Sequence, residues 1–242
     1  MSNEPSEAGR VERPGRSGEL WRVDGSASNA FLVRDGDGDD APLYLVDAGV
    51  PGDAGAIRAT ASNAGVDLGA VDGVLLTHYD YDHVGALADL RALDCPVYAH
   101  EPDASFLDGS DRPGLWPHKA LLQRVTGLFL DRSDLPVERV ADGDTVGSFT
   151  AYHTPGHGPG HLAWISADRG VAFLGDLVRA ADGALEASPW ALSYDTAAVR
   201  DSVRDLDERA PEFEAVGVGH GDPLAAGGSE ALGTLAASLA DE

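Results

Sequence analysis

The chain has one cysteine, Cys95, and one lysine, Lys119. A single thiol excludes an internal disulfide framework and any cysteine-rich zinc cluster. No apolar run reaches the roughly 18 residues that a membrane span needs. Residues 1–18 are polar, rich in Glu, Arg, Pro, Ser and Gly, and lack the apolar core of an export signal. They are expected to form a disordered tail on a cytoplasmic protein. Basic clusters are missing too: 17 Lys+Arg stand against 41 Asp+Glu, a formal charge of −24. Nucleic acid is therefore not an expected partner, because its recognition rests on basic surface.

What remains is enough for a full core. The chain has 242 residues, 43% of them hydrophobic, and residues 19–242 are expected to form a single domain. The acidic residues are spread along the chain instead of forming one block, so they read as a property of the solvated surface. Low Lys, high Asp and abundant Ala and Gly resemble proteins of salt-in halophiles. At molar salt the screening length is about 3 Å and self-repulsion is largely cancelled. A haloarchaeal origin follows as an expectation.

Short apolar segments at Leu20–Val23, Ala30–Val33 and Leu43–Val46 read as strands parted by turns. A helix is expected over 53–64, capped by Asp53 and stopped by Gly65. Val71–Leu76 has the length of a buried strand. Helices are expected around Val84–Leu93, within Gly114–Leu130, at Thr196–Arg209 behind Asp195, and at Ser229–Ala240. Further strands are expected at Pro96–Ala99, Val146–His153, His161–Ser166, Val171–Leu174 and Ala215–Val218.

The chemistry gathers just after the Val71–Leu76 run, in Thr77-His78-Tyr79-Asp80-Tyr81-Asp82-His83. Four ligand-type residues within six positions, between a strand and a helix, can curl around one ion. Imidazole with carboxylate suits Zn, Fe or Mn better than Ca or Mg. Three later segments each place similar groups at a strand end: Thr154-Pro155-Gly156-His157-Gly158-Pro159-Gly160-His161, Phe173-Leu174-Gly175-Asp176, and Val216-Gly217-Val218-Gly219-His220-Gly221.

This order of residues resembles the metallo-β-lactamase-fold hydrolase superfamily, whose pattern is H-x-H-x-D-H followed by His, Asp and His. The resemblance runs from about Leu20 to the C-terminus and includes Val46-Asp47-Ala48-Gly49. It implies an α/β fold, a four-layer αββα sandwich, with a binuclear metal site at one edge of its two sheets. Carried over by position, it implies His78, Asp80 and His157 on a first ion and Asp82, His83 and His220 on a second, with Asp176 bridging. Zinc is the implied metal. Asp80 stands where the family has its second His, and the added carboxylate lowers the net charge of the site, which favours harder ions such as Fe or Mn.

The implied activity is metal-dependent hydrolysis by a metal-bridging hydroxide. The candidate catalytic groups are Asp82, which could orient the nucleophile, and His161, which lies outside the ligand pattern. Hydrogen bonding behind the ligands is expected of His161, with a general-acid role as the alternative. His153, His100 and His118 are expected to be packing or surface residues. A helical insert around 112–132 is expected to cover the pocket, with Trp116, His118, Leu122 and Phe129 as candidate wall residues or core. An apolar lid fits a small ester, thioester or lactone. A phosphodiesterase or nuclease of the same fold, and a non-haem iron oxidoreductase (persulfide dioxygenase-like or flavodiiron-like), are the alternatives.

Overall fold

The computed structural model describes residues 19–240, so the tail expected over 1–18 lies outside it. Six strands form a first sheet: β1 (Leu20–Val23), β2 (Ala30–Arg34), β3 (Leu43–Val46), β4 (Gly73–Leu75), β5 (Val97–Ala99) and β6 (Val137–Arg139), adjacent in that order. The first three form an antiparallel meander, and from β3 onward the pairing is parallel. Their connections hold α1 (Ala54–Ala64), α2 (Tyr81–Val84), α3 (Asp103–Asp108) and α4 (His118–Thr126). A second sheet contains β7 (Thr145–Val146), β8 (Phe149–His153), β9 (Leu162–Ser166) and β10 (Val171–Phe173). A hairpin of β11 (Val178–Ala181) and β12 (Ala184–Ala187) stands apart, and β13 (Ala215–Gly217) completes the second sheet beside β10. Two long helices, α5 (Thr196–Arg209) and α6 (Gly228–Leu239), close the chain.

Alternation along single strands shows the layering. In β2, Phe31 and Val33 pack between the sheets, while Ala30 and Leu32 face the cluster that includes Ile57 and Ala61 of α1. In β9, Leu162 and Trp164 point between the sheets, while Ala163 and Ile165 meet Val199 and Val203 of α5 and Leu232 of α6. Helices thus cover the outer face of each sheet, giving the four-layer αββα sandwich. The seam is aromatic: Phe173 lies 5.3 Å from Phe31 and 5.9 Å from Phe149, ring centre to ring centre. Among the described residues no helix is long and apolar enough to cross a membrane.

Several elements depart from the sequence reading. The helix expected at Val84–Leu93 is the single turn of α2 followed by a 3-10 turn at Leu87–Asp89. The amide of Gly85 bonds to the carbonyl of Gly49 at 2.8 Å, which takes it out of the helical ladder. Asp53 occupies the cap position of α1 without capping it: its carboxylate accepts from Ser26 Oγ at 2.8 Å and Val50 N at 3.1 Å. The strand expected at Val146–His153 is two strands folded back at Gly147, whose φ is +57°. The helix within Gly114–Leu130 turns its apolar side outward. Trp116 is 87% exposed and Leu128 77%, and Leu122 and Phe129 are exposed as well. Its buried face carries Lys119, Ala120 and Gln123. The expectation that Trp116, Leu122 and Phe129 pack as core is therefore corrected. The reason is chemical: the polar residues of α4 have partners in the site beneath it.

Candidate metal centre

Every ligand-type residue singled out in the sequence lies at one rim of the sandwich, where strands of both sheets end. From the first sheet, β4 runs through Leu76 and Thr77 into the loop His78–Asp80, and α2 supplies Asp82 and His83. From the second, β8 leads to His157, β10 to Asp176 and β13 to His220. Asp47, at the end of β3 with φ +56°, holds the first group in place. Its carboxylate accepts from Thr77 N at 2.8 Å and Thr77 Oγ1 at 2.7 Å, and Nδ1 of His83 lies 2.8 Å away. Thr77 Oγ1 is also 3.0 Å from His78 Nδ1. Both imidazoles are thereby fixed by Nδ1, which aims Nε2 into the centre. On the other side Asn29 Nδ2 donates to the carbonyls of Val218 and Gly221, at 2.9 and 2.8 Å, and so shapes the His220 loop.

Two donor sets result. In the first, His78 Nε2, His157 Nε2 and Asp80 Oδ2 lie 3.1–3.2 Å from one another. In the second, His220 Nε2 lies 3.3 Å from Asp82 Oδ2 and 3.2 Å from Asp176 Oδ2, and His83 Nε2 lies 3.5 Å from Asp176 Oδ1. Asp176 Oδ2 is also 3.4 Å from His157 Nε2, so its carboxylate stands between the sets. His83 Nε2 and Asp176 Oδ1 are buried without a hydrogen-bond partner. Such orphaned donors at a convergent carboxylate–imidazole site fit a metal ion. Gly219 keeps the space open: a Cβ there would sit 1.9 Å from Asp176 Oδ1 and 2.9 Å from His83 Cε1.

The electrostatics follow from burial and crowding. Burial opposes ionisation of Asp176, but His83, His157 and His220 outweigh it and hold the carboxyl well below its usual range. Asp82 is likewise lowered: burial resists, while the His220 hydrogen bond and the His83 charge prevail. Hydrogen bonds to Asp176 and Asp82 push His220 up to about 10. Burial, helped by the neighbouring Lys119 charge, pushes His157 down to about 4.

His161 sits behind the cluster, fully buried. Its Nε2 accepts from the backbone amide of Asp176 at 3.2 Å and its Nδ1 lies 2.8 Å from Thr154 Oγ1. With both nitrogens engaged it positions Asp176, and the general-acid alternative has no free ring atom to act through. The remaining histidines pack elsewhere: His100 against His153 at 4.2 Å, and His118 against Trp190 at 4.6 Å.

Sequence reading missed the supports supplied by α4 and α3. Lys119 is 3% exposed, with Nζ 2.7 Å from Asp80 Oδ2 and against His157 Nε2. Gln123, one turn further on, donates Nε2 to Asp80 Oδ1 at 2.6 Å and is itself held by the Tyr194 hydroxyl. Both oxygens of Asp80 are thus taken by one helix face. The extra negative charge read at Asp80 is offset by Lys119, so it no longer argues for a harder ion. Asp103 of α3 accepts from Tyr79 N at 2.8 Å, and burial pushes its carboxyl up to about 6. The available signal for Lys119 was its being the lone lysine. Asp103 gave none.

Beside His220 opens a cavity of about 590 Å³ lined by Arg22, Ser26, Ser28, Asn29, Asp182 and Asp222 among others. Its lining is largely polar and includes no residue of the 112–132 insert, which instead lines a separate cavity of about 670 Å³ with Leu121, Val125 and Leu128 beside Tyr79.

An αββα sandwich with these donors at its rim defines a metallo-hydrolase architecture. The model of the Metallo-beta-lactamase superfamily matches residues 23–220, and the chain belongs to that superfamily. It is 30% identical over 203 residues to the probable metallo-hydrolase YflN of Bacillus subtilis (strain 168), covering 75% of this chain and 76% of that one. It is 30% identical over 145 residues to a hydroxyacylglutathione hydrolase of Bdellovibrio bacteriovorus, 58% of this chain and 46% of the relative. Among solved structures, TTHA1623 in a di-iron-bound form aligns with a TM-score of 0.63 and 32% identity, covering 87% of this chain and 92% of that one.

Proposed function

We propose that the protein is a metal-dependent hydrolase of a small ester, thioester or lactone. The observation that carries this reading is the second donor set. There His83 Nε2 and Asp176 Oδ1 are orphaned beside Asp82 and His220, next to a cavity of small-molecule size. An ion held by Asp82, His83, Asp176 and His220 would supply Lewis acidity and lower the pKa of a bound water. Asp82, part-exposed with its carboxyl held below the usual range, would offer Oδ2 to the ion and its other carboxylate oxygen to the proton of a water, which would pass to the leaving oxygen or sulfur as the acyl bond breaks. His220 would hold the ion from the cavity side, its Nδ1 lying 3.2 Å from the carbonyl of Ala27. Asp47, Thr77 and His161 keep the donors aimed and take no part in the bond changes. The buried ends of both sheets exclude bulk water from behind.

The thioester branch draws support from the hydroxyacylglutathione hydrolase relative, and hydrolysis in general from YflN. The net charge of −24 weighs against a nucleic acid substrate. Zinc suits the imidazole and carboxylate donors, and the di-iron form of TTHA1623 brings iron forward as the second candidate. The acidic, lysine-poor composition supports a haloarchaeal origin and action in a salt-rich cytoplasm. The test is a screen of p-nitrophenyl esters, thioesters, lactones and bis-p-nitrophenyl phosphate in molar KCl, with Zn, Mn or Fe supplied separately. Acyl substrates should turn over, and a chelator or His83→Ala should abolish it. Turnover of the phosphodiester alone would overturn the proposal.

A further inference from the structure

The two donor sets are unequal. In the second, two buried atoms lack partners. In the first, the protein has already supplied them. Asp80 Oδ2 is 2.7 Å from Lys119 Nζ, and Asp80 Oδ1 is 2.6 Å from Gln123 Nε2. His157 Nε2 meets the same Lys119 Nζ, while its Nδ1 lies 2.9 Å from Ser188 Oγ. The ammonium touches two of the three atoms that would have to face an ion, so this set does not fit a further cation.

The sequence carries the same message independently. Arginine supplies 16 of the 17 cations in the chain. The one lysine is not a surface residue, being 3% exposed. Burying a lone ammonium is costly unless an anion faces it, and Asp80 stands there in place of the histidine implied by the superfamily pattern. A compact point charge on a flexible stem can enter a space shaped for an ion, which a planar guanidinium cannot. Lysine and aspartate thus form a matched exchange. The ammonium together with one divalent ion also balances the three carboxylates Asp80, Asp82 and Asp176 in formal charge.

We infer that the Lys119 ammonium takes the place of the first ion, and that the protein holds one metal ion, in the set Asp82, His83, Asp176 and His220. This rests on reading the site as a metal centre, and the experiment separates the two ideas. Metal-stripped full-length protein in molar KCl is titrated with Mn(II), followed by atomic analysis after desalting and by electron paramagnetic resonance. The wild type should retain one equivalent and show an uncoupled six-line spectrum even with excess Mn(II). Lys119→Met, which keeps the stem, and Lys119→Ala should each retain two equivalents with exchange-coupled signals. Near-UV circular dichroism establishes that they fold. His220→Ala in the wild-type background should lose the single ion. Two coupled ions in the wild type overturn the inference and leave the hydrolase reading intact. One ion in wild type and in both folded variants also overturns it. No ion in any of them sinks the metal-centre reading as well.

Discussion

Asp103 offers a quantitative test of how burial governs this rim. Its Oδ2 accepts from Tyr79 N, while Oδ1 is buried without a partner. Burial raises its carboxyl from the ordinary 3.8 to about 6, only partly relieved by the Tyr79 amide and the His78 charge. A shift of about two units at 1.36 kcal/mol each means that ionised Asp103 disfavours the fold by about 3 kcal/mol. Asp103→Asn keeps an oxygen for the Tyr79 amide and puts a neutral amide where the orphaned oxygen was. A folded-state value raised above the unfolded one gives stability that is full below pH 4 and lost as pH rises through 6. The wild type should therefore match the variant near pH 4 and fall behind it by about 3 kcal/mol at pH 7.5. The assay is urea unfolding of both proteins in molar KCl at intervals from pH 4 to 8, read as the difference in unfolding free energy. A difference that stays flat across this range, or a more stable wild type at pH 7.5, would refute the reasoning.

Removing His161 as His161→Ala should weaken metal binding about 10–100-fold by freeing the Asp176 amide, measured by competition with a chelator. Unchanged affinity would show that Asp176 needs no such support. Trp164→Phe leaves the Leu76 carbonyl without its indole donor, now at 3.0 Å, and should cost about 1–3 kcal/mol in chemical denaturation. Phe129→Ser, on the exposed side of the α4 region, should change stability by no more than about 0.5 kcal/mol, since that side packs on nothing described. A charge of −24 should make the melting temperature climb from dilute buffer to molar KCl, and a flat response would remove the halophile reading.

The elements legible in the sequence are those whose signal is local. Asp195 caps Thr196–Arg209 through bonds to Ala197 N and Ala198 N, and the helix has the expected bounds. Leu20–Val23 and Leu43–Val46 are strands over the residues read from their apolar runs. The ligand-type residues were legible because each group follows an apolar strand, and His157, Asp176 and His220 also sit beside glycine. Elements decided by tertiary contacts were not. The six residues of α3 are too few for periodicity to register, and α2 ends where Gly85 is drawn to Gly49. The β11–β12 hairpin did leave a trace, since Asp182 and Gly183 both have positive φ, the pairing that a two-residue turn favours. The α4 case is the most instructive. Apolar spacing located a helix there but could not tell which side faces inward, because two polar side chains with partners in the centre outrank a larger apolar stripe without them.

The rim has a mechanical consequence. Its donors leave different sheets: His78, Asp80, Asp82 and His83 come from the first, Asp176 and His220 from the second. A cation coordinated by Asp82, His83, Asp176 and His220 would therefore be a rivet through both plates of the sandwich, closing a loop of more than ninety residues between His83 and Asp176 that the packed seam alone must otherwise hold. Affinity for the ion and docking of the two plates become one equilibrium, in which each strengthens the other. A chelator would then act on this protein as a mild denaturant, loosening the two plates from the rim inward.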